Sequence, residues 1–368
     1  MIRLFLRLLV LFALTRSCMK KMIITALLAA ALLNGCQAED PDRYVPATAH
    51  RKEKYATPEP GTYLKPISYT VLKEMNRILE DPDSFEDTEE WITKIFTPGL
   101  KKTSDTIIRH GELPVPVRIY YPTRKSLEGN HPVILFFHGG GFIMGSVEQY
   151  HLMVAKLARV TGRIIVSVEY RLAPGYPFPA AVEDCYAALR WLQQNAHLIG
   201  ADDERITVMG DSAGGNLAAV VTLMCRDMQQ PRPEKQVLIY PGVTFNDTIF
   251  PSRHYFAMEP EMRYVLDEDF LKKVKTEYMG EMGNDRHPYL SPLEANLTPD
   301  LPPALVITAE CDPLRDGGRA YAEKLVEAGV EVETREYSGM IHGFMSFHLV
   351  IGDATDAMKH IRDFLGRL

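Results

Sequence analysis

The sequence has few of the residues that mark several common protein classes. Only five of its 368 residues are cysteine, and no group of Cys and His residues has the spacing of a zinc site. After Cys18 and Cys36 near the N-terminus, Cys185 and Cys225 fall in helix-like runs typical of small core residues, and Cys311 directly precedes Asp312. No Gly-x-Gly-x-x-Gly segment follows a predicted strand, and no internal repeat is visible. We therefore expect no cofactor, no metal and no essential disulfide.

Positive charge is also too scarce for a protein that binds nucleic acid. The formal net charge is −7, and residues 1–35 hold five basic and no acidic side chains, so the chain without them carries −12. Because phosphate backbones and anionic membrane surfaces attract basic proteins, we expect neither as a partner. The expected partner is a small-molecule substrate.

The N-terminal region has the pattern of an export signal. Two lysines precede an apolar run over residues 22–33, and small residues then lead to Cys36. This order is typical of a secretory signal, and the run is too short to span a bilayer as a stable helix. We expect residues 1–35 to be removed and Cys36 to be lipidated, by resemblance to bacterial lipoprotein signals, which would tether the exported protein in the cell envelope.

Two further expectations concern the same region. Residues 19–35 form a complete signal by themselves, so we expect translation to start at Met19. Gln37, rather than an aspartate, follows the cysteine, which by family analogy favours the outer membrane over the inner one.

A serine stands at the junction of a predicted strand and a predicted helix. Ser212 is the centre of Gly-Asp-Ser-Ala-Gly at residues 210–214, between an apolar run and a segment of helical composition. A strand that turns sharply into a helix exposes the hydroxyl at the sheet edge, and the free N–H groups of the helix point at it. Glycines are needed on both sides, because side chains there would collide with neighbouring backbone. Ser212 is therefore the predicted nucleophile.

Three consecutive glycines follow another predicted strand. Residues 132–137 are a continuous apolar run, typical of a strand buried on both faces, and residues 138–142 read His-Gly-Gly-Gly-Phe. Glycines let several backbone N–H groups converge on one point, as an oxyanion hole requires. The alternative is a flexible glycine turn. Phe142, next to the glycines, is the candidate for lining an acyl pocket.

An acid and a histidine follow the next pair of predicted strands near the C-terminus. Asp312 comes after the apolar run 304–308, and His342 comes after a predicted strand over residues 330–337. A serine hydroxyl needs a base to take its proton, and the base needs an acid to fix its tautomer and stabilise its cation. The chain order serine, acid, histidine is the order that α/β-hydrolases use.

Other residues compete for the acid and base roles. Glu310 and Asp316 are alternative acids, but Asp316 falls in the first turn of a predicted helix, where an acid already has a role beside the positive helix end. His348 and His360 are alternative bases. Both lie beyond the loop that carries His342, and we expect both to be surface residues.

Six motifs together resemble the hormone-sensitive-lipase-like branch of the α/β-hydrolase esterases. The motifs are residues 138–142, 170–174, 178–181 with Glu183 and Asp184, 210–214, 312–316 and 342–344. The resemblance implies Ser212 and its two partners as a catalytic triad, with the backbone N–H groups of Gly140, Gly141 and Ala213 as oxyanion donors. It also implies carboxylesterase activity on short to medium acyl chains. Family members often have acidic residues where this chain has Gly175 and Gly317, which puts a charge contact near the site in doubt.

Predicted strands and helices alternate over most of the chain. Residues 103–110 and 115–121 alternate like a β-hairpin, and a βαβ rhythm continues from there to a closing helix over residues 354–365. This rhythm predicts an α/β-hydrolase fold over residues 101–368, with a mostly parallel central sheet covered by helices on both faces. The loops that carry function then meet at one edge of the sheet.

Two regions fall outside that rhythm. Residues 36–100 read as an N-terminal linker with two short helices, and an insertion at about residues 243–300 interrupts the sheet. We expect the two regions to form a cap above Ser212; the alternative is that their aromatic residues only form a small core of their own. The insertion is rich in large apolar side chains, namely Tyr255, Phe256, Met258, Met262, Tyr264, Phe270 and Tyr278.

The sequence as a whole predicts a serine carboxylesterase that works through an acyl-enzyme and needs no cofactor. One alternative is an amidase, formamidase or lyase on the same scaffold, which differs in the bond that is broken. The other is a non-catalytic ligand-binding module, since one fold hosts many functions. The presence of His342 argues against the binding module.

Overall fold

The computed structural model describes residues 100, 102–122, 129–246, 250–253, 265–349 and 351–366. The predicted signal over residues 1–35, the start at Met19, the lipidation site Cys36 and the two helices of the N-terminal linker all lie outside the described residues. Part of the predicted cap insertion also lies outside them, including Tyr255, Phe256, Met258, Met262 and Tyr264.

Eight strands of the described residues form one sheet. Along the chain they are β1 (Lys102–His110), β2 (Leu113–Tyr121), β3 (His131–Phe137), β4 (Ile164–Val168), β5 (Ala201–Asp211), β6 (Lys235–Ile239), β7 (Ala304–Cys311) and β8 (Val332–Ile341). Their order across the sheet is β1-β2-β4-β3-β5-β6-β7-β8. β2 pairs antiparallel with β1 and β4, and the other neighbours pair in parallel. The predicted hairpin and the mostly parallel sheet are both confirmed.

The strands differ in burial according to their place in the sheet. Residues 133–137 of β3 are fully buried, because a central parallel strand has helices over both faces. The edge strand β1 instead exposes most of its residues, including charged ones. Charged side chains on an edge strand oppose pairing with other chains.

Six α-helices of the described residues cover the two faces of the sheet and the site edge. They are α1 (His151–Thr161), α2 (Ala180–Asn195), α3 (Ala213–Asp227), α4 (Glu268–Met279), α5 (Arg315–Glu327) and α6 (Gly352–Gly366). α1 and α6 pack on one face in a cluster that includes Phe136, whereas α2, α3 and α5 pack on the other in a cluster that includes Leu135. Consecutive strand residues point to opposite faces, so one strand serves both clusters. None of these helices combines the length and apolar character needed to span a bilayer.

The cysteines of the catalytic domain lie in this core. Cys185, Cys225 and Cys311 are buried free thiols, and Cys185 and Cys225 belong to the same apolar cluster, as the sequence predicts for small core residues. Burial raises the pKa of the Cys225 thiol to about 11 and that of Cys311 to about 12. Little thiolate forms at neutral pH, so these side chains are poor nucleophiles.

The final strand extends further than the sequence indicates. The prediction ends it at residue 337, but β8 continues to Ile341 because its ladder with β7 resumes there, with Ile341 opposite Cys311. His342 therefore directly follows Ile341, the last paired residue of β8, and does not lie in the middle of a loop.

The insertion between β6 and β7 contributes one helix to the described structure. α4 begins after Asp267, whose side chain accepts a hydrogen bond from the Phe270 N–H at 2.8 Å and so caps the helix. Its buried face carries Val274, Tyr278 and Met279. Of these, Val274 lies beside Gly141 and Tyr278 lies against Phe142, both of which follow β3.

Candidate active site

Ser212 occupies a strained turn between β5 and α3. Its φ of 54° and ψ of −118° lie in a region that side-chain-bearing residues rarely adopt. The surrounding backbone requires the turn to be tight: a Cβ on Gly210 would overlap the Gly214 carbonyl, and a Cβ on Gly214 would overlap the Phe137 carbonyl. The two glycines therefore let β3, β5 and α3 approach closely and hold the serine at their junction.

The structure brings Ser212, His342 and Asp312 together. His342 Nε2 lies 2.8 Å from Ser212 Oγ, and His342 Nδ1 lies 2.7 Å from Asp312 Oδ2. Asp312 is fully buried, and its other oxygen accepts the Leu314 N–H at 2.8 Å. The imidazole thus bridges a hydroxyl and a carboxylate whose orientation is itself fixed by backbone.

The alternative acids have other partners. Glu310 accepts a hydrogen bond from the Gly339 N–H at 2.7 Å. Asp316 is fully buried and accepts from the Ser252 N–H and from Arg315 Nε, both at 2.9 Å. Asp312 is therefore the carboxylate that the fold presents to the imidazole.

The alternative bases lie away from Ser212. His360 on α6 places Nε2 2.7 Å from Glu333 Oε1. The prediction that His348 is a surface residue is wrong, because its side chain is buried where its carbonyl accepts a hydrogen bond from Lys156 Nζ of α1. Burial lowers the pKa of His348 to about 4, so this imidazole stays neutral at pH 7.

The glycine run after β3 forms a tight turn next to Asp211, the residue before the serine. Gly140 and Gly141 have φ values of +117° and +62°, and the Gly140 carbonyl accepts the N–H groups of Ile143 and Met144. Within the described residues, the N–H groups of Gly140, Gly141 and Ala213 donate to no protein acceptor. The three amides therefore have no hydrogen-bond partner among the described protein groups.

The residue before the serine ties the glycine run to the nucleophile turn, a connection that the sequence did not reveal. Asp211 Oδ1 accepts the Gly139 N–H at 2.9 Å, and Oδ2 accepts the hydroxyls of Tyr150 at 3.1 Å and Tyr240 at 3.4 Å. Burial raises the pKa of Asp211 to about 6, against the opposing effect of these donors. The signal was present, since an acid at the end of an apolar strand needs buried partners.

The histidine of the glycine run is part of the scaffold. His138 stacks on Tyr170 with ring centroids 4.2 Å apart, and the Tyr170 hydroxyl donates to the His138 carbonyl at 2.7 Å. Burial lowers the pKa of His138 to about 4, so the ring stays neutral. Ala173, three residues after Tyr170, donates its N–H to the Phe142 carbonyl at 2.9 Å. The motif over residues 170–174 therefore supports both ends of the glycine run.

Phe142 connects the glycine run with the insertion. It has a φ of +63° and stacks face to face on Tyr278 of α4, with ring centroids 3.8 Å apart and planes only 3° from parallel. A Cβ placed on Gly141 would lie 2.6 Å from Val274 Cγ2 and 3.4 Å from Phe270. α4 thus packs directly against the segment that carries the three amides.

The side chains gathered at this edge of the sheet form a nucleophile and its hydrogen-bonded partners. Among the described residues, no three His, Cys, Asp or Glu side chains are placed to hold a metal ion together. The arrangement instead offers a hydroxyl, a base hydrogen-bonded to it, a buried acid behind the base, and unpartnered amides. This set of groups suits nucleophilic attack on a carbonyl followed by proton transfer to a leaving group.

Comparisons with known proteins agree with this chemistry. Residues 134–346 match the alpha/beta hydrolase fold family. Carboxylesterase NlhH of Mycobacterium tuberculosis is 39% identical over 264 residues, which cover 71% of this chain and 80% of that protein. The ethyl acetate hydrolase of Pseudomonas putida is 34% identical over 252 residues, covering 68% and 78%.

A solved structure shares the same architecture. The hyperthermophilic esterase of Pyrobaculum calidifontis superposes with a TM-score of 0.75 and 37% sequence identity, covering 82% of this chain and 97% of that one. The family match spans the glycine run, the nucleophile turn and the histidine loop, so the resemblance seen in the motifs is confirmed. The chain belongs to the α/β-hydrolase family, in its hormone-sensitive-lipase-like branch, and is a serine carboxylic ester hydrolase.

Proposed function

We propose that Ser212, His342 and Asp312 are the catalytic triad of this esterase. Ser212 Oγ attacks the ester carbonyl carbon, and His342 Nε2 takes the hydroxyl proton as the carbon–oxygen bond forms. Asp312 holds Nδ1–H and stabilises the imidazolium. The observation that carries this proposal is the pair of hydrogen bonds on either side of His342, at 2.8 and 2.7 Å.

The N–H groups of Gly140, Gly141 and Ala213 stabilise the negative charge that develops on the carbonyl oxygen. Their freedom from protein acceptors within the described residues, and the position of Ala213 at the positive end of α3, support this role. When the tetrahedral intermediate collapses, the bond to the alcohol oxygen breaks and His342 gives its proton to the leaving alcohol.

Water completes the cycle. His342 takes a proton from a water molecule, the resulting hydroxide equivalent attacks the acyl-enzyme carbonyl, and the proton returns to Ser212 Oγ as the carboxylic acid leaves. The similarity to a carboxylesterase and an ethyl acetate hydrolase favours this ester hydrolysis over the amidase, lyase and ligand-binding alternatives.

The preferred substrates are esters with short to medium acyl chains, and Phe142 lines the acyl side of the site. The stacked pair of Phe142 and Tyr278 supports this view, because two buried parallel rings next to the glycine run limit the space beside the reacting carbonyl. The Pseudomonas putida relative is named for a short ester, ethyl acetate.

The enzyme is exported and tethered to the cell envelope by lipid on Cys36, and Gln37 after the cysteine favours the outer membrane. The support is the sequence pattern of lysines, apolar run, small residues and cysteine. Mass spectrometry of the cell-purified protein tests this: the mature chain should begin at lipid-modified Cys36, and Cys36→Ser should release the protein from membranes. An unmodified N-terminus upstream of residue 36 would refute it.

Hydrolysis of p-nitrophenyl acetate, butyrate, octanoate and palmitate by the full chain in mild detergent tests the activity. We expect fast turnover of the first two esters, slower turnover of octanoate, and little turnover of palmitate. The matched control is Ser212→Ala, which removes one oxygen at a turn that the surrounding glycines define; it should retain the thermal unfolding temperature and lose turnover. Turnover that survives in Ser212→Ala would overturn the triad assignment.

A further inference from the structure

The ladder between β7 and β8 changes register just before the active site. From Ala304 opposite Val332 to Ala309 opposite Tyr337 the two strands pair residue for residue. The next pair is Cys311 opposite Ile341, so a single residue of β7, Glu310, faces the three residues 338–340 of β8. β8 therefore bulges by two residues, a device that is common beside active sites.

This bulge decides where His342 lies along the sheet. In the register of the first part of the ladder, the residue opposite Asp312 would be Met340, and His342 would lie beyond it. After the bulge, the register that pairs Cys311 with Ile341 places His342 level with Asp312. Two residues of strand correspond to roughly 7 Å, and because the side-chain period is two, the shift keeps the imidazole on the same face. A gap of that length would break a hydrogen bond of 2.7 Å.

The bulge is held by the side chain of the residue that it faces. Glu310 Oε2 accepts the Gly339 N–H at 2.7 Å, at a glycine with a φ of +66°. A bulge leaves backbone N–H groups without partners from the ladder, and a half-buried carboxylate supplies one here. The Glu310 carbonyl in turn accepts Arg315 Nη1 at 3.1 Å, so the strand that carries the brace is tied to α5.

We propose that Glu310 is a positioning residue: its carboxylate fixes the bulge at residues 338–340 and thereby aligns His342 with Asp312 and Ser212. Glu310 is two residues before Asp312, but its carboxylate binds the backbone of Gly339, three residues before His342. It therefore positions the imidazole and touches no reacting atom. This inference rests on the proposed triad, and it gives the rejected alternative acid a specific role.

Three variants of the full chain test the proposal. Glu310→Gln keeps an oxygen that can accept the Gly339 N–H, whereas Glu310→Ala removes it. The matched control is Glu336→Ala, which also removes a carboxylate, in this case from β8 just before the bulge. The Glu336 carboxylate binds Arg319 and Thr308 and does not contact the bulge backbone. Each variant is measured for kcat, KM, thermal unfolding and the pH profile of kcat/KM, with active serines counted by a fluorophosphonate.

The expected results separate positioning from plain stability. Glu310→Ala should lose about 10- to 100-fold in kcat per active serine with little change in KM, because displacement of a base by about 1 Å costs on that order. The acid limb of its pH profile should move to lower pH, since a loosened Asp312 contact stabilises the imidazolium less. Its downfield Nδ1–H proton resonance should weaken. Glu310→Gln and Glu336→Ala should stay within a few-fold of the parent in kcat, with the parent acid limb.

Two outcomes would overturn the proposal. One is a Glu310→Ala enzyme that unfolds at a lower temperature but keeps the kcat of the parent and the acid limb of its pH profile. Glu310 would then contribute to stability alone. The other is a Glu310→Gln enzyme as impaired as Glu310→Ala. Failure of the triad itself is distinguishable, because the parent would then show turnover that does not depend on Ser212.

Discussion

The edge of the sheet that carries the triad and the insertion that carries α4 hold the active site in two different ways. At the sheet edge, directional hydrogen bonds fix each reacting group, as with the 2.8 and 2.7 Å contacts of His342. α4 acts through apolar surface, with Tyr278 stacked on Phe142 and Val274 against Gly141. Hydrogen bonds specify atoms, whereas apolar packing specifies shape and space.

This difference predicts that the two regions control different kinetic quantities. Substitutions at the sheet edge should lower kcat for every ester, since they remove stabilisation found only in the transition state. Substitutions in α4 should change stability and the preference among acyl chains. The regions meet at the glycine run, and there the effects should combine.

The largest expected effect is that of Asp312→Asn. The amide keeps the shape of the carboxylate but cannot stabilise the imidazolium, so kcat should fall about 10⁴-fold on every ester. Asp316→Asn is the control: it should reduce thermal stability through its buried contacts with Ser252 and Arg315 and leave kcat of the folded enzyme within a few-fold. Equal kcat losses in the two variants would contradict the assignment of Asp312.

The second effect concerns the insertion. Tyr278→Ala removes a fully buried ring from its stack on Phe142 and should cost about 3–5 kcal/mol of unfolding free energy, measured in urea. The surviving enzyme should shift its preference toward longer acyl chains. Tyr278→Phe is the matched control. The tyrosine hydroxyl has no hydrogen-bond partner within the described residues, so its removal should leave selectivity unchanged and should not lower stability. An unaltered preference among acyl chains in Tyr278→Ala would show that α4 does not control substrate specificity.

The third effect is on the pH dependence of stability. The folded-state pKa of Asp211, about 6, lies above its ordinary value of 3.8, so the folded state binds more protons than the unfolded state between these pH values. The contribution of Asp211 to stability is therefore greatest at low pH and falls as pH rises from about 4 to about 6, by about 3 kcal/mol. Asp211→Asn should lack this loss. Urea unfolding of both proteins at pH 4 and pH 7 gives their free energies of unfolding. The value for the variant minus that for the parent should be larger at pH 7 than at pH 4; an equal difference at both pH values would be inconsistent with a titrating Asp211.

The smallest effect tests the meeting point of the two regions. Gly141→Ala places a Cβ against Val274 at a φ of +62°, so the amide should turn away from the oxyanion and kcat should fall about 100-fold. Adding Val274→Ala relieves the contact and should recover part of the loss. Gly175→Ala is the control, because its Cβ would meet nothing closer than the Leu172 carbonyl at 3.7 Å. Absence of recovery in the double variant would show that backbone strain alone causes the loss.

The sequence predicts the sheet edge better than the insertion, for a physical reason. Ser212, Asp312 and His342 each follow a predicted strand, and the ends of parallel strands meet at one edge, so their proximity follows from the strand pattern. The stack of Phe142 on Tyr278 joins distant segments that no local pattern relates. The bulge at residues 338–340 is also invisible, because it depends on the pairing of two strands rather than on either one.

His348 shows a further limit of sequence reasoning. A short helical turn after β8 (Phe344–Phe347) brings its backbone against α1, and the side chain becomes buried. The expectation of a surface position came from its place beyond the catalytic loop. Packing between elements far apart in the chain overrode that local reading.

The separation of the reacting groups along the chain has a consequence for biosynthesis. Ser212 and His342 are 130 residues apart, and the base stands on the last strand of the sheet. The serine and glycine run are therefore synthesised long before the group that activates them, so a growing chain remains without hydrolytic activity until its final strand has joined the sheet. Two fragments divided within the insertion between β6 and β7 would each carry part of the site, and we expect esterase activity to return only when both are expressed together.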